Sequence, residues 1–171
     1  ATVFGMKYLT KGGLRENLER QYKIFDNKHT WAMTIIYTMT FGSFIGFSAA
    51  FPLAIKVIFG YTHVMGPDGV MVHDAVNPNG PSALMYAWMG AFIGALIRPV
   101  GGWIADRVGG ALVTQIVSVV MLVSSIAVAH YMKAAYNSAT PEEYFVPFFL
   151  FFLLLFAATG IGNGSTFRTI S

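Results

Sequence analysis

The sequence lacks cysteine altogether and contains few charged residues. The absence of cysteine excludes disulfides, thiolate catalysis and metal sites built on cysteine. Only 11% of the 171 residues are charged, whereas a soluble domain usually has about 25%. The formal net charge of +3 is too small to indicate a nucleic-acid partner. Since no metal-ligand cluster, nucleophile–base pair or phosphate loop is visible either, we predict no enzyme, metal site or cofactor.

Apolar residues dominate what remains. They make up 55% of the chain, and the mean hydropathy is +0.58. A water-soluble fold of this size has no means of hiding so much apolar surface, so a lipid bilayer is the expected solvent. Four stretches are long enough to cross it as helices, since about 20 residues suffice. The sequence therefore predicts an all-α membrane protein with spans at about residues 31–59, 82–105, 111–132 and 144–171.

The distribution of basic residues predicts the orientation. Residues 1–30 are polar and contain six Lys or Arg, whereas the loop at residues 60–81 contains none. Basic loops stay in the cytoplasm, so we place residues 1–30 and the short turn "DRVGG" there. The stretch "LRENLERQYKIF" predicts an amphipathic helix at the membrane surface, with a solvated linker helix as the alternative. The chain thus divides into a cytoplasmic segment, 1–30, and a transmembrane domain, 31–171.

The last stretch ends at "RTIS", inside an apolar, helix-like pattern. We therefore expect the chain to be part of a larger membrane protein. A genuine four-span protein, acting as a structural or assembly subunit without transport, is the alternative from a different functional class.

Arg98 is the most informative charge. It lies about 24 Å along its helix from residue 82, at about 1.5 Å per residue, and so well inside the second span. A mid-membrane arginine costs about 2.5–3.5 kcal/mol on insertion scales and faces a cavity or a partner. Every Asp and Glu falls outside the apolar stretches. The counter-ion would then be a carboxylate of an absent span, or an anionic cargo that suits the planar guanidinium. Snorkelling toward the cytoplasmic surface is the alternative.

Two further patterns accompany this arginine. In the first span an aromatic and polar stripe recurs at helical spacing and includes Tyr37 and Phe41; such a stripe also suits core packing. In the fourth span the stretch "GIGNGSTFR" combines three glycines with hydrogen-bonding groups on Asn163 and Ser165. Glycines weaken a helix by about 1 kcal/mol each, so we expect this stretch to pack tightly against another helix beside a polar cavity.

The stretch "GGWIADRVGG" resembles the cytoplasmic loop signature of the major facilitator superfamily, through Gly102, Asp106, Arg107, Gly109 and Gly110. Together with "FGSFIGFSAAFPLAIK" and "GIGNGSTFR", it is similar to the nitrate/nitrite porter family of that superfamily. The resemblance covers residues 20–171. Its order matches the second half of such a transporter: the central cytoplasmic loop and then spans seven to ten of twelve.

The resemblance implies roles for particular residues. Arg98 matches the arginine that clasps the anion in the second half, and Tyr37 and Phe41 match aromatic residues that line the site. We add Asn163 and Ser165 as candidate substrate-binding residues. The absent N-terminal half would supply a partner arginine.

The loop motif at Gly102, Asp106, Arg107, Gly109 and Gly110 forms, in our interpretation, a conformational gate at the cytoplasmic surface. There Asp106 would stabilise the outward-facing state. An ordinary surface ion pair, worth under about 1 kcal/mol, is the alternative. Arg168 stands where some family members have glutamine, which leaves the coupling mode open.

The expected function is therefore secondary active transport of nitrate and nitrite across the inner cell membrane by alternating access. Exchange of the two anions and proton-coupled nitrate uptake are both compatible with the sequence, and membrane lipid is the surrounding partner. The alternatives are a major facilitator carrier for another small anion and the non-transporting four-span subunit.

Overall fold

A computed structural model describes the backbone of residues 22–170 and the side chains of residues 22–166 except Ile24. Of these described residues, those up to Ile36 belong to one compact unit and those from Tyr37 onward to another. In the first, a 3-10 helix covers Lys23–Asp26, and the Trp31 indole N–H donates a 2.8 Å hydrogen bond to the Phe25 carbonyl. Most of the amphipathic helix expected before Phe25 lies outside the described residues.

Four long helices form the described structure, as the apolar stretches predict. Each is long and apolar enough to cross a membrane. They are α1 (Lys28–Ala54), which continues into a π-helical turn (Ile55–Phe59), α2 (Ala83–Val108), α3 (Gly110–Tyr136) and α4 (Phe145–Ile170), which follows a 3-10 helix (Pro141–Tyr144). The fold class is all-α, and the predicted four membrane-spanning helices are confirmed.

Helices α2 and α4 approach each other until their backbones touch. A methyl group added at Gly160 would overlap the Gly94 carbonyl, and one added at Gly164 would overlap the Arg98 carbonyl. On the facing helix, a methyl group at Gly101 would overlap the Ile161 carbonyl. Because only glycine permits this approach, the glycines of "GIGNGSTFR" pack tightly against a neighbouring helix, as the sequence predicts.

Helix α1 joins this pair through aromatic side chains. The Phe51 ring lies 4.6 Å from the Phe152 ring, and the Phe44 ring meets the Phe156 ring edge-on at 5.7 Å. Ring contacts of this kind contribute about 0.5–1.5 kcal/mol beyond the area that they bury. The fully or almost fully buried members of the aromatic core are Phe51, Phe59, Phe148, Phe152 and Phe156. The phenylalanines of the fourth span therefore fill the interior rather than only facing lipid.

The loop between α1 and α2 contains an antiparallel β-hairpin. Strand β1 (Tyr61–Met65) pairs with β2 (Met71–Val76). The stretch "GPDG" forms the reversal, and Gly69 adopts a φ of 72° in it. The strands themselves were missed, although β-branched and aromatic residues flank the turn in "YTHVM" and "VMVHDAV", which is the pattern of a short hairpin.

Hydrogen bonds fasten this hairpin and the residue after it to the end of α3 and to the 3-10 helix that precedes α4. The Tyr136 hydroxyl donates to the Met71 carbonyl at 2.9 Å. The Asn77 side-chain amide donates to the Glu142 carboxylate at 2.8 Å and to the Phe59 carbonyl at 3.3 Å. The His63 ring is buried and lies 4.7 Å from the Tyr136 ring. Burial, followed by the charge of His73, lowers the pKa of His63 below 6.5, because an apolar setting disfavours the charged ring.

The backbone contact between α2 and α4 predicts a large effect for one methyl group. The substitution Gly164→Ala forces the Arg98 carbonyl away and should destabilise the protein by about 1–3 kcal/mol, as overpacking does. Gly46→Ala is the matched control, because nothing lies within 4 Å of the added methyl group and alanine favours the helix. Thermal unfolding in detergent measures both. Equal melting temperatures for the two variants would contradict the close contact.

Candidate functional site

Arg98 lies in the second half of α2, and its guanidinium rests against two aromatic rings of α1. The Arg98 Cζ is 4.6 Å from the centre of the Phe44 ring and 5.5 Å from that of Phe41. Within residues 22–170 its buried Nε has no hydrogen-bond partner. A cation–π contact stabilises the charge by about 0.5–2 kcal/mol but leaves the hydrogen-bond donors unsatisfied. The arginine is therefore held in place by the two rings, while its Nε–H has no partner among the described residues.

The aromatic wall beside Arg98 is built on one face of α1. The Tyr37 and Phe41 rings stack with their centres 5.4 Å apart and their planes 14° from parallel. Phe44 continues the same face and is the ring nearest the guanidinium. It belongs to the aromatic stripe visible in the sequence, but the candidate residues did not include it. Its contact with Phe156 on α4 fixes the ring against Arg98, and sequence spacing alone does not reveal that contact.

Asn163 lies at the contact between α4 and α1. It is 1% exposed, and its side-chain oxygen is 3.5 Å from the Thr40 hydroxyl. Thr40, which sequence reasoning missed, directly precedes Phe41. The Asn163 amide nitrogen has no hydrogen-bond partner among the described residues. Since its neighbour Gly164 touches the Arg98 backbone, the site contains a second buried donor without a partner, on the helix packed against α2.

Ser165 faces a different neighbour. It is fully buried, its hydroxyl donates to the Gly162 carbonyl at 2.9 Å, and it lies 3.3 Å from the Thr114 hydroxyl on α3. Residues two apart on a helix point about 200° away from each other, so Asn163 and Ser165 face nearly opposite directions. These contacts place Ser165 at the interface of α3 and α4, whereas Arg98, Phe41 and Tyr37 come together beside α1.

The residues of the predicted gate lie at the end of α2. Asp106 and Arg107 belong to the last turn of the helix and are exposed, rather than to the loop that the sequence suggested. The Arg107 Cζ lies 4.1 Å from the Trp103 ring. The connection is shorter than expected because Gly109, with a φ of 91°, donates its N–H to the Ala105 carbonyl. Helix α3 then begins at Gly110.

The remaining member of the motif, Gly102, is buried. Its backbone nitrogen lies 2.9 Å from the position that a methyl group on Gly164 would take. The motif therefore begins inside the α2–α4 contact and ends at an exposed turn.

As for metals, no group of three or more His, Asp or Glu side chains in the described part of the chain could hold an ion.

Comparison with known proteins identifies relatives along nearly the whole chain, although no family model matches it. A probable nitrate/nitrite antiporter, NarK2, of Thermus thermophilus is 38% identical over 161 residues, which cover 94% of this chain and 32% of the relative. The nitrate/nitrite transporter NarU of Escherichia coli is 35% identical over 157 residues, which cover 92% of this chain and 29% of the relative. NarU of Salmonella typhimurium is 34% identical over all 171 residues, 31% of its length.

These relatives are named as transporters or antiporters and not as enzymes. The chain spans about a third of their length, and its four long apolar helices are those of a multi-pass membrane protein. The family resemblance of the three motifs and the identity along the chain point to one assignment. Over nearly its whole length the chain is similar to nitrate/nitrite porters, and its four helices fit part of a major facilitator fold.

Proposed function

We propose that the protein containing this chain is a secondary active transporter that moves nitrate and nitrite across the cytoplasmic membrane by alternating access. The observation that carries the proposal is the placement of Arg98. Its guanidinium lies against the aromatic wall of α1, with a buried donor that has no partner among the described residues. The names of the relatives supply the two anions.

The chemistry of nitrate suits this arrangement. Nitrate is a very weak base, so protonation does not neutralise it near neutral pH, and a carrier has to supply fixed positive charge. The guanidinium is planar and permanently charged, and it binds oxyanions through two parallel hydrogen bonds. The Asn163 amide offers another buried donor, and the flat rings of Tyr37, Phe41 and Phe44 favour a planar ligand over a tetrahedral one. Ser165 lies against α3 and would support α4 instead of binding the anion.

This chain spans about a third of its relatives' length, so further spans would be needed to complete a transporter like them. We propose that this chain supplies spans seven to ten of twelve and that an N-terminal half closes the cavity with a second arginine. Residues 1–30 would then be the central cytoplasmic segment, in accordance with the positive-inside rule. Many transporters of this fold bind their substrate near the middle of the membrane, between two halves that rock around it. Arg98, well inside α2, is suitably placed for that role.

We further propose exchange of nitrate for nitrite as the coupling mode. None of the membrane-spanning helices has a carboxylate near its middle, since Asp106 lies in the last turn of α2. His130 is exposed on α3. No acidic proton carrier is therefore seen beside Arg98 in the described residues. The name of the Thermus relative also states antiport.

The direct test uses proteoliposomes that contain the complete transporter and are loaded with nitrite. On dilution into labelled nitrate without a pH gradient, we expect rapid nitrate uptake that requires internal nitrite. Other small anions in excess should compete weakly. Uptake that requires an imposed pH gradient would contradict exchange, and strong competition by an unrelated anion would favour a carrier for that anion.

In the same assay the paired hydrogen-bond donors of the Arg98 guanidinium should be essential. We expect Arg98→Lys to lower nitrate uptake by roughly tenfold to a hundredfold, because hydrogen bonds to charged groups contribute about 1.5–3 kcal/mol and lysine lacks the paired geometry. Lys133→Arg exchanges the same two residue types at an exposed position of α3 and should leave uptake unchanged. Wild-type uptake by Arg98→Lys would refute the assigned anchor.

The ring of Phe44 should contribute through its contact with the guanidinium. Phe44→Leu removes a cation–π contact of about 0.5–2 kcal/mol, so the KM for nitrate should rise several-fold. The control is Phe92→Leu, since Phe92 is an exposed phenylalanine on α2. The amount of folded protein is checked by gel filtration. An unchanged KM in well-folded Phe44→Leu would exclude this ring from the site.

The gate should respond to the charge of Asp106. If this carboxylate stabilises the outward-facing state, Asp106→Asn shifts the population toward the inward-facing state. Since the chain has no cysteine, Ser48→Cys on α1 provides a single label position in it. We expect slower labelling of this cysteine from outside by an impermeant maleimide in the Asp106→Asn background. Asp74→Asn, in the hairpin, is the control and should leave the labelling rate unchanged. Equal labelling rates with and without Asp106→Asn would identify Asp106 as an ordinary surface residue.

A further inference from the structure

Two histidines face each other across the hairpin between α1 and α2. His63 on β1 pairs directly with His73 on β2, so their side chains project from the same face of the sheet. The ring centres lie 5.0 Å apart. Neither residue takes part in the proposed transport of nitrate, and both belong to a segment outside the four candidate membrane spans.

His63 has unused binding capacity. The side chain is 2% exposed, yet neither of its ring nitrogens has a hydrogen-bond partner in the described part of the protein. A buried polar group without a partner is costly, so each such group calls for an explanation. His73, in contrast, is exposed, so solvent reaches one member of the pair.

We propose that His63 and His73 together bind one divalent transition-metal ion, such as Zn²⁺, Cu²⁺ or Ni²⁺, with water completing the coordination. Imidazole nitrogen suits these ions, whereas Mg²⁺ and Ca²⁺ prefer oxygen ligands. The site is independent of the anion pathway. It would bind metal even if the transported substrate were different.

The spacing of the two rings fits a shared ion. Two imidazoles bound to one tetrahedral zinc ion at about 2.0–2.1 Å have ring centres about 5 Å apart, and the observed separation is 5.0 Å. The metal-binding form of histidine is the neutral ring. The burial of His63 favours that form, since it lowers the pKa of the ring.

The surrounding contacts hold both ligands on fixed strands. The Tyr136 ring packs against His63 at 4.7 Å, and its hydroxyl is bonded to the Met71 carbonyl, two residues before His73. Tyr136 thus ties β2 to α3 while it covers β1. Its hydroxyl is engaged in this bond, so we assign it a positioning role rather than that of a third ligand. Two protein ligands predict an exchangeable ion, in contrast to a closed structural zinc site with four ligands.

The test uses the complete transporter in detergent, stripped with EDTA and then titrated with ZnCl₂ by calorimetry. We expect His73→Ala to lose one bound equivalent per chain and His63→Phe, which keeps a ring against Tyr136, to lose the same equivalent. His130→Ala is the control, because it removes an exposed histidine from α3, and it should retain full stoichiometry. Zinc should also raise the melting temperature of the wild type but not of His73→Ala, since a ligand that binds only the folded state stabilises it.

Spectroscopy separates a shared site from a surface histidine. Bound Cu²⁺ should show couplings to two imidazole nitrogens in the wild type and to no more than one in either variant at this site. Unchanged zinc stoichiometry in both His73→Ala and His63→Phe would overturn the proposal. Loss of the zinc equivalent in His130→Ala would also overturn it. The same holds if His73→Ala loses the equivalent while His63→Phe retains it. Nitrate uptake by the same preparations reports separately on the transport function.

Discussion

The backbone contact between α2 and α4 determines how the rest of the protein is arranged. Glycines on both helices allow carbonyl groups of one to lie against the backbone of the other, at Gly94, Gly101, Gly160 and Gly164. This contact includes the carbonyl of Arg98 itself. An arginine inside a membrane helix needs a defined environment because its charge is expensive there. Here the neighbouring helix fixes its backbone, and side chains from α1 surround its guanidinium.

The role of α1 differs from that of α4. Helix α1 contacts its neighbours through aromatic rings, whereas α4 contacts α2 through its backbone. Phenylalanines of α1 contribute both to the packing and to the candidate site. Phe44 contacts Phe156 on one side and the Arg98 guanidinium on the other. A carrier that rocks between two states needs an anchor that keeps its shape within one half. Rigid aromatic packing and glycine contacts supply such stiffness here, and the Arg98 Nε and the Asn163 amide nitrogen have no hydrogen-bond partner among the described residues.

The hairpin adds a second polar centre on a segment outside the membrane helices. It is tied to α3 through Tyr136 and to the 3-10 helix before α4 through Glu142. A bound metal ion would join β1 to β2 at the point where the hairpin rests on α3. The proposed anion anchor and the proposed metal site therefore belong to different chemical classes, and they can be tested separately.

The features that depend on local composition could be predicted from the sequence alone. Apolar runs predicted the four helices, an isolated charge identified Arg98, and the stretch "DRVGG" predicted a short turn, in which Gly109 adopts a positive φ. Which groups meet became visible only in the folded structure. It placed Phe44 nearest Arg98, turned Ser165 toward Thr114, extended α2 through Asp106 and Arg107, and brought His63 opposite His73. Helical or strand spacing reports which residues share a face, but the neighbour of that face depends on helix rotation and on packing between segments distant in the chain.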